Sequence, residues 1–362
     1  MGVKSMKIVL TGGGTAGHVT PNIALLPALE RRGFKVYYIG SRTGIEKDLI
    51  SRYGIPYHGI ASGKLRRYFD LKNVTDTFRI VKGLGEAIAV LKHIKPDVVF
   101  SKGGFVVVPV AVAARLLNIP VIIHESDITP GLANRLIMPF AKKICVSFPE
   151  TLDQLPGNKG VLTGIPIRSS LWEGLAQEGL KICGFEHLPS KPIMIVIGGS
   201  LGAMAINRNI LGVLPRLLKR FHIIHLCGKG NIKESPRPGY APFEYIQEEL
   251  PHLLAAADMA VSRAGATTIF ELLALSKPNL LIPLSRAASR GDQILNAASF
   301  EKRGFSMVLP EEEMTEDSLY DALLALYANR EAYAKHMNTQ TPGDGVKQVM
   351  AEIGRWTKEV VT

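Results

Sequence analysis

His18 closes the run Gly12-Gly13-Gly14-Thr15-Ala16-Gly17-His18, and an imidazole at the end of a glycine turn can act as a general base while it is neutral. A helix N-terminus just beyond the turn favours that neutral form. The other reading is a histidine that only caps the turn. The turn itself follows the apolar run Met6–Thr11 and precedes a helix that Thr20, as N-cap, and Pro21, at the first helical position, should open. Unpaired backbone N–H groups there form a cradle for an anion.

Three further groups have chemical potential. His124-Glu125-Ser126-Asp127, with Asn134 downstream, puts polar side chains at the end of the apolar run Val121–Ile123; they either do chemistry or cap the next helix. Ser262-Arg263-Ala264-Gly265-Ala266-Thr267-Thr268 again reads as strand, turn and helix start. Glu271 lies a turn further on, where a carboxylate could hold a ribose diol or could merely answer the helix dipole. Ser289-Arg290-Gly291-Asp292-Gln293 precedes another helix. No Asp-x-Asp occurs, so no metal site and no cofactor are expected, and charge on a leaving phosphate would fall to helix N-termini and basic side chains.

These groups need a scaffold that brings strand ends together. Apolar strands expected at Lys35–Gly40, Asp97–Ser101, Val121–His124 and Lys143–Ser147 alternate with helices at Asn22–Arg32, Gly44–Arg52, Leu71–His93, Val107–Leu117 and Gly131–Phe140. In the longest helix Leu71, Val74, Phe78, Val81, Leu84, Ile88 and Leu91 form a stripe expected to pack inward. The pattern weakens from Pro149 to Pro192, with a linker near Gly164–Ile167. It restarts with strands at Ile193–Ile197, His222–Leu226, Met259–Ser262 and Asn279–Ile282, interleaved with helices from Gly202 to Lys219, Ala266–Ser276 and Asp292–Arg303. The fold class is therefore α/β: two doubly wound, Rossmann-like domains facing across a cleft. Expected boundaries are 1–165 and 166–342, with a last helix at Asp344–Val361, in 343–362, crossing back onto the first domain.

Gly12-x-Gly14-x-x-Gly17 fits a dinucleotide fingerprint, yet the next strand ends Gly40-Ser41-Arg42 without the acid that holds a ribose. NAD is disfavoured; NADP, another phosphate ligand or no ligand remain. The formal charge of +11 calls for a polyanionic partner. Recognition signatures of RNA-binding modules and zinc fingers are absent and aromatic residues make up 7%, so no nucleic acid is expected. No apolar run reaches the roughly 18–20 residues of a membrane span. Cys145, Cys183 and Cys227 are scattered and read as buried structural thiols.

GGGTAGH (12–18), KGGF (102–105), HESDITPGLAN (124–134), GIPIR (164–168), GGSLGA (198–203), SRAGATTIFE (262–271) and ASRGDQILNA (288–297), in this order, resemble the MurG family of N-acetylglucosaminyltransferases. The resemblance implies a GT-B fold and inverting transfer of N-acetylglucosamine from UDP-N-acetylglucosamine to lipid I, giving lipid II. The first domain would bind lipid I, with Thr15, Ala16, Gly17, His18, Gly104 and Asn134 at its substrate. The second would bind the donor: Arg168 and Ser200 at the diphosphate with Asn207 nearby, the Ile246 backbone at uracil, and the helix start at Ala266, Thr267 and Thr268 at the phosphates. Glu271 would take the ribose, and Asp292 and Gln293 the sugar. Asp292 stands where many relatives carry glutamine, and Phe105 where some carry tyrosine. His18 is the first choice of base, Glu125 the second, and Asn134 an orienting residue. The resemblance also implies a peripheral place on the cytoplasmic face of the bacterial cell membrane, and room for cell-wall synthesis or division proteins as partners. The anionic surface would meet Lys64–Lys82, where six basic residues outnumber two acids beside Leu65, Arg66, Arg67, Tyr68 and Phe69. Two rivals share parts of this reading: a UDP-N-acetylglucosamine 2-epimerase, which needs no lipid, and a nucleotide-sugar-binding regulator without turnover.

Overall fold

A computed structural model of the chain describes residues 5–63, 72–198, 202–246, 248–339 and 343–357, with backbone alone for 72–78. Leu65, Arg66, Arg67, Tyr68, Phe69 and Ser200 lie outside the described residues. Contacts divide the chain into two units, 1–168 with 343–362, and 169–342.

In the first unit seven strands, β1 (Lys7–Thr11), β2 (Lys35–Ser41), β3 (Tyr57–Ile60), β4 (Val98–Ser101), β5 (Val121–Glu125), β6 (Lys143–Val146) and β7 (Gly160–Leu162), form one sheet in the order β3-β2-β1-β4-β5-β6-β7. Every pairing is parallel. Alternation sends residues of β1 to opposite faces. Val9, with Val99 and Ile123, packs on one side with Ala87, Leu91, Val110 and Ala114 of helices Lys72–Ile94 and Val107–Leu116. Ile8 and Leu10 pack on the other, with Leu25 and Leu29 of helix Thr20–Arg31 and with Val349, Met350 and Ile353 of helix Gly345–Trp356. That last helix starts on an Asp344 carboxylate accepting from Lys347 N at 3.0 Å, and Arg32 Nη1 donates to Met350 O at 3.0 Å.

The second unit repeats the theme. Strands β8 (Ile193–Ile197), β9 (His222–Leu226), β10 (Tyr240–Phe243), β11 (Met259–Ser262), β12 (Asn279–Leu281) and β13 (Met307–Val308) pair in parallel in the order β10-β9-β8-β11-β12-β13. In each sheet the strand order reverses once, between β1 and β4 and between β8 and β11. Loops at such a switch point diverge to opposite faces and leave a crevice beyond the strand ends.

Several expectations change. Thr20 is the first residue of its helix rather than the cap: a 3₁₀ turn at Ala16–His18 precedes it, and the Thr20 hydroxyl donates to Ala16 O at 3.0 Å. Strands β7, β10 and β13 and helices Ala176–Cys183, Leu250–Ala256 and Glu316–Thr339 had no expected counterpart. The three strands are short edge strands, one carrying Pro242, and an edge tolerates a residue that cannot donate to the ladder. Val81, assigned to the inward stripe, is 64% exposed. Cys145 and Cys227 are buried free thiols, but Cys183 is half-buried.

The turns after β1 and β4 interlock. Gly13 N donates to Gly103 O at 3.1 Å, and a Cβ on Gly104, at φ +87°, would lie 2.2 Å from Gly13 O. Gly104→Ala should therefore destabilise the first unit, by about 1–3 kcal/mol from backbone conformation alone and more from the clash. Denaturant unfolding measures this, and a parental midpoint would refute it.

Candidate active site

The first turn presents His18 by its own backbone. Gly13 O lies 2.9 Å from His18 Nδ1, and a carbonyl only accepts, so Nδ1 carries the proton and Nε2 is the acceptor nitrogen. Thr15 Oγ1 lies 3.3 Å from the same Nδ1. The Cδ2–Nε2 edge of the ring borders Gly103: a Cβ there would sit 3.4–3.5 Å from both atoms and 3.5 Å from Asn134 Nδ2. A bare Gly103, at φ +111°, thus leaves a position that both His18 and Asn134 border. Thr15 is exposed, Ala16 and Gly17 half-buried, and Gly104 sits within the interlock.

Part of the expected anion cradle is already occupied. Gly14 N donates to Glu46 Oε2 at 3.1 Å, while Glu46 Oε1 accepts from Ser41 N at 2.9 Å and Ser41 Oγ at 2.5 Å. Glu46 is fully buried and was missed in the sequence, although an acid in the first turn of the helix after β2 was the available signal.

Glu125 ends β5, and both its oxygens are taken. Oε1 accepts from Ser126 N at 2.8 Å and Asp127 N at 3.1 Å; Oε2 accepts from Gly131 N at 2.9 Å and Asn134 Nδ2 at 2.8 Å. With four donors on its two oxygens, Glu125 anchors the 125–134 segment. Asn134 Oδ1 is buried without a protein partner. His124 points inward instead, Nε2 against Gly164 O at 2.8 Å, and burial holds it well below its ordinary value.

In the second unit helix Ala266–Ala274 opens beyond β11 on an extended Gly265, with Ala266 buried, Thr267 and Thr268 half-buried, and Glu271 buried in its second turn. Arg168 is half-buried at the end of the first unit. Ile246 follows β10. Asn207 faces inward: its Nδ2 donates to Cys227 O at 2.8 Å, and its Oδ1 lies 3.0 Å from His225 Nε2, whose imidazole burial pushes down to about 4. Asp292 pairs with Arg290 at 2.8 Å. Gln293 Oε1 accepts from Leu284 N at 3.1 Å.

A pair unseen in the sequence braces this loop. Arg263 donates to Glu311 and to Ile282 O (3.1 Å), while Glu311 Oε2 accepts from Ser285 N at 3.1 Å. Burial would raise the Glu311 carboxyl, but the Arg263 and Ser285 bonds hold it below the ordinary carboxylate value. Among the described residues no three of His, Cys, Asp and Glu converge as a metal site.

Residues 8–146 match the glycosyltransferase family 28 N-terminal domain and residues 193–353 its C-terminal domain. A Clostridium tetani protein named UDP-N-acetylglucosamine–N-acetylmuramyl-(pentapeptide) pyrophosphoryl-undecaprenol N-acetylglucosamine transferase is 56% identical over 97% of this chain and 98% of its own. The crystal structure of Acinetobacter baumannii MurG superposes with a TM-score of 0.73 at 26% identity, covering 97% of this chain and 99% of that one. A UDP-N-acetylglucosamine 2-epimerase from Neisseria meningitidis, at 15% identity and a TM-score of 0.67 over 97% and 100% of the two chains, shares the fold alone.

Glu125→Gln would turn a donor amide toward groups that themselves donate, and should cost about 1.5–3 kcal/mol of stability. Denaturant titration checks this; parental stability would mean the four bonds do not hold the segment.

Proposed function

The chain belongs to the MurG family of glycosyltransferases, and from that premise we infer that it moves N-acetylglucosamine from UDP-N-acetylglucosamine to the 4-hydroxyl of the N-acetylmuramyl-pentapeptide of lipid I, giving lipid II. The carrying observation is near-full-length identity of 56% to a transferase so named. His18 Nε2 takes the proton of the 4-hydroxyl as its oxygen attacks C1 of the donor sugar. The C1–O bond to the diphosphate breaks, UDP leaves with the electron pair, and the configuration inverts to β. Asn134 orients the sugar beside His18. The helix start at 266–268 and Arg168, with Ser200, carry the charge of the leaving diphosphate. Glu271 holds the ribose hydroxyls, and Gln293 reads the sugar.

The enzyme works on a lipid-linked acceptor from the cytoplasmic surface of the membrane, through segment 64–82. Exposed Arg79, Val81 and Lys82 at the end of that segment support this, and among the described residues no helix is long and apolar enough to cross a bilayer.

Incubation with UDP-N-acetylglucosamine and a short-chain lipid I analogue should yield the disaccharide product and UDP. Turnover of donor without acceptor, or binding without turnover, would refute the reading. His18→Ala should lower single-turnover rates by about 10²–10⁴-fold while leaving donor affinity unchanged. A near-parental rate would remove His18 as base. Glu271→Ala should weaken UDP binding by about 1.5–3 kcal/mol in calorimetry, and parental affinity would disprove its ribose contact.

A further inference from the structure

Lys102 is 1% exposed, yet none of the steps above uses it. It follows β4 directly, its N–H donates to Thr11 O at 2.9 Å, and a Cβ on Gly12 would lie 3.3 Å from its own Cβ. Its backbone is thus clamped between the two interlocked turns. Its side chain runs past the end of β5 and donates through Nζ to Ser126 Oγ. Burying an ammonium costs several kcal/mol unless partners compensate, so an apolar side chain would serve packing better.

The charges that face it come from the 124–127 stretch and β6. Glu125 and Asp127 draw on its positive charge; the Cys145 thiol, pushed up by burial, stays neutral; and His124, held well below its ordinary value by burial and by Lys102 itself, is neutral too. Lys102 is the cation of this cluster. Ser126 N in turn donates to Glu125 Oε1, the carboxylate whose other oxygen holds Asn134.

We propose that Lys102 is a positioning residue for the transfer step: its buried ammonium, bonded to Ser126 and set against Glu125 and Asp127, fixes the 125–134 segment so that Asn134 borders the same Gly103 position as His18. This rests on the transferase reading above. Burial pulls the ammonium down to about 8 against the opposing effect of Glu125 and Asp127, so the brace is charged at neutral pH and is lost as pH rises through that value.

The test compares the full-length parent with Lys102→Met and Ser126→Ala, using UDP-N-acetylglucosamine and a short-chain lipid I analogue. Near neutrality Lys102→Met should lose about 10- to 100-fold in kcat/KM for the acceptor with an unchanged KM for the donor. As pH rises through about 8, the parent should fall toward the Lys102→Met level while that variant stays flat. A parental rate in Lys102→Met, or the same alkaline limb in both proteins, would overturn the proposal. If Lys102→Met does not fold, Ser126→Ala decides: a several-fold loss in acceptor kcat/KM with donor KM intact supports it, and parental values overturn it. Hydrogen exchange of the 125–134 amides needs no substrate and separates this proposal from the transferase reading. Exchange should be faster in Lys102→Met than in the parent at neutral pH, and unchanged exchange would overturn the proposal even if the enzyme transfers sugar.

Discussion

The site on the first unit depends on the contact between two glycine turns. Gly13 and Gly104 approach so closely that no Cβ fits between Gly104 and the Gly13 carbonyl, and the same Gly13 carbonyl fixes the His18 imidazole. One backbone oxygen therefore sets both the spacing of the β1 and β4 loops and the tautomer of the proposed base. Gly103 adds the open position that His18 and Asn134 share. Placement on rigid strand ends gives the geometry that a general base needs before its acidity matters.

Within each unit, buried charged side chains tie down loops that glycine alone would leave loose. Glu46 holds Gly14 to the end of β2, Glu125 holds the 125–134 segment, and the Arg263 and Glu311 pair holds the loop before Asp292. In each case the charged group bonds backbone N–H or C=O groups that would otherwise be orphaned beyond a strand end. The Arg263 and Glu311 pair is nearly buried, and hydrogen bonds to the backbone offset the desolvation that such a pair suffers.

Much of this was legible in the sequence because the cues are local. The strands at 193–197, 222–226 and 259–262 were bounded as observed, since each is a near-continuous apolar run in the middle of a sheet. The edge strands were not, because a strand with one neighbour needs neither length nor an unbroken apolar run. His18 and Asn134 were singled out in the sequence, but their meeting at Gly103 was not, because it joins three loops. Glu46, Lys102 and Glu311 escaped for the same reason: each acts on a residue 24 to 48 positions away, and no periodicity marks such a pair. Glu125 shows the converse: its type suggested a base, and its role as anchor of the 125–134 segment appears only in the fold.

The central claim is that the Gly13 carbonyl fixes His18 with its ring proton on Nδ1, leaving Nε2 to accept. Nitrogen NMR of the histidine side chains, with His18 assigned through His18→Gln, reads this directly in the resting enzyme at neutral pH. The account predicts that the neutral imidazole carries its proton on Nδ1. A neutral imidazole protonated on Nε2 instead would contradict it.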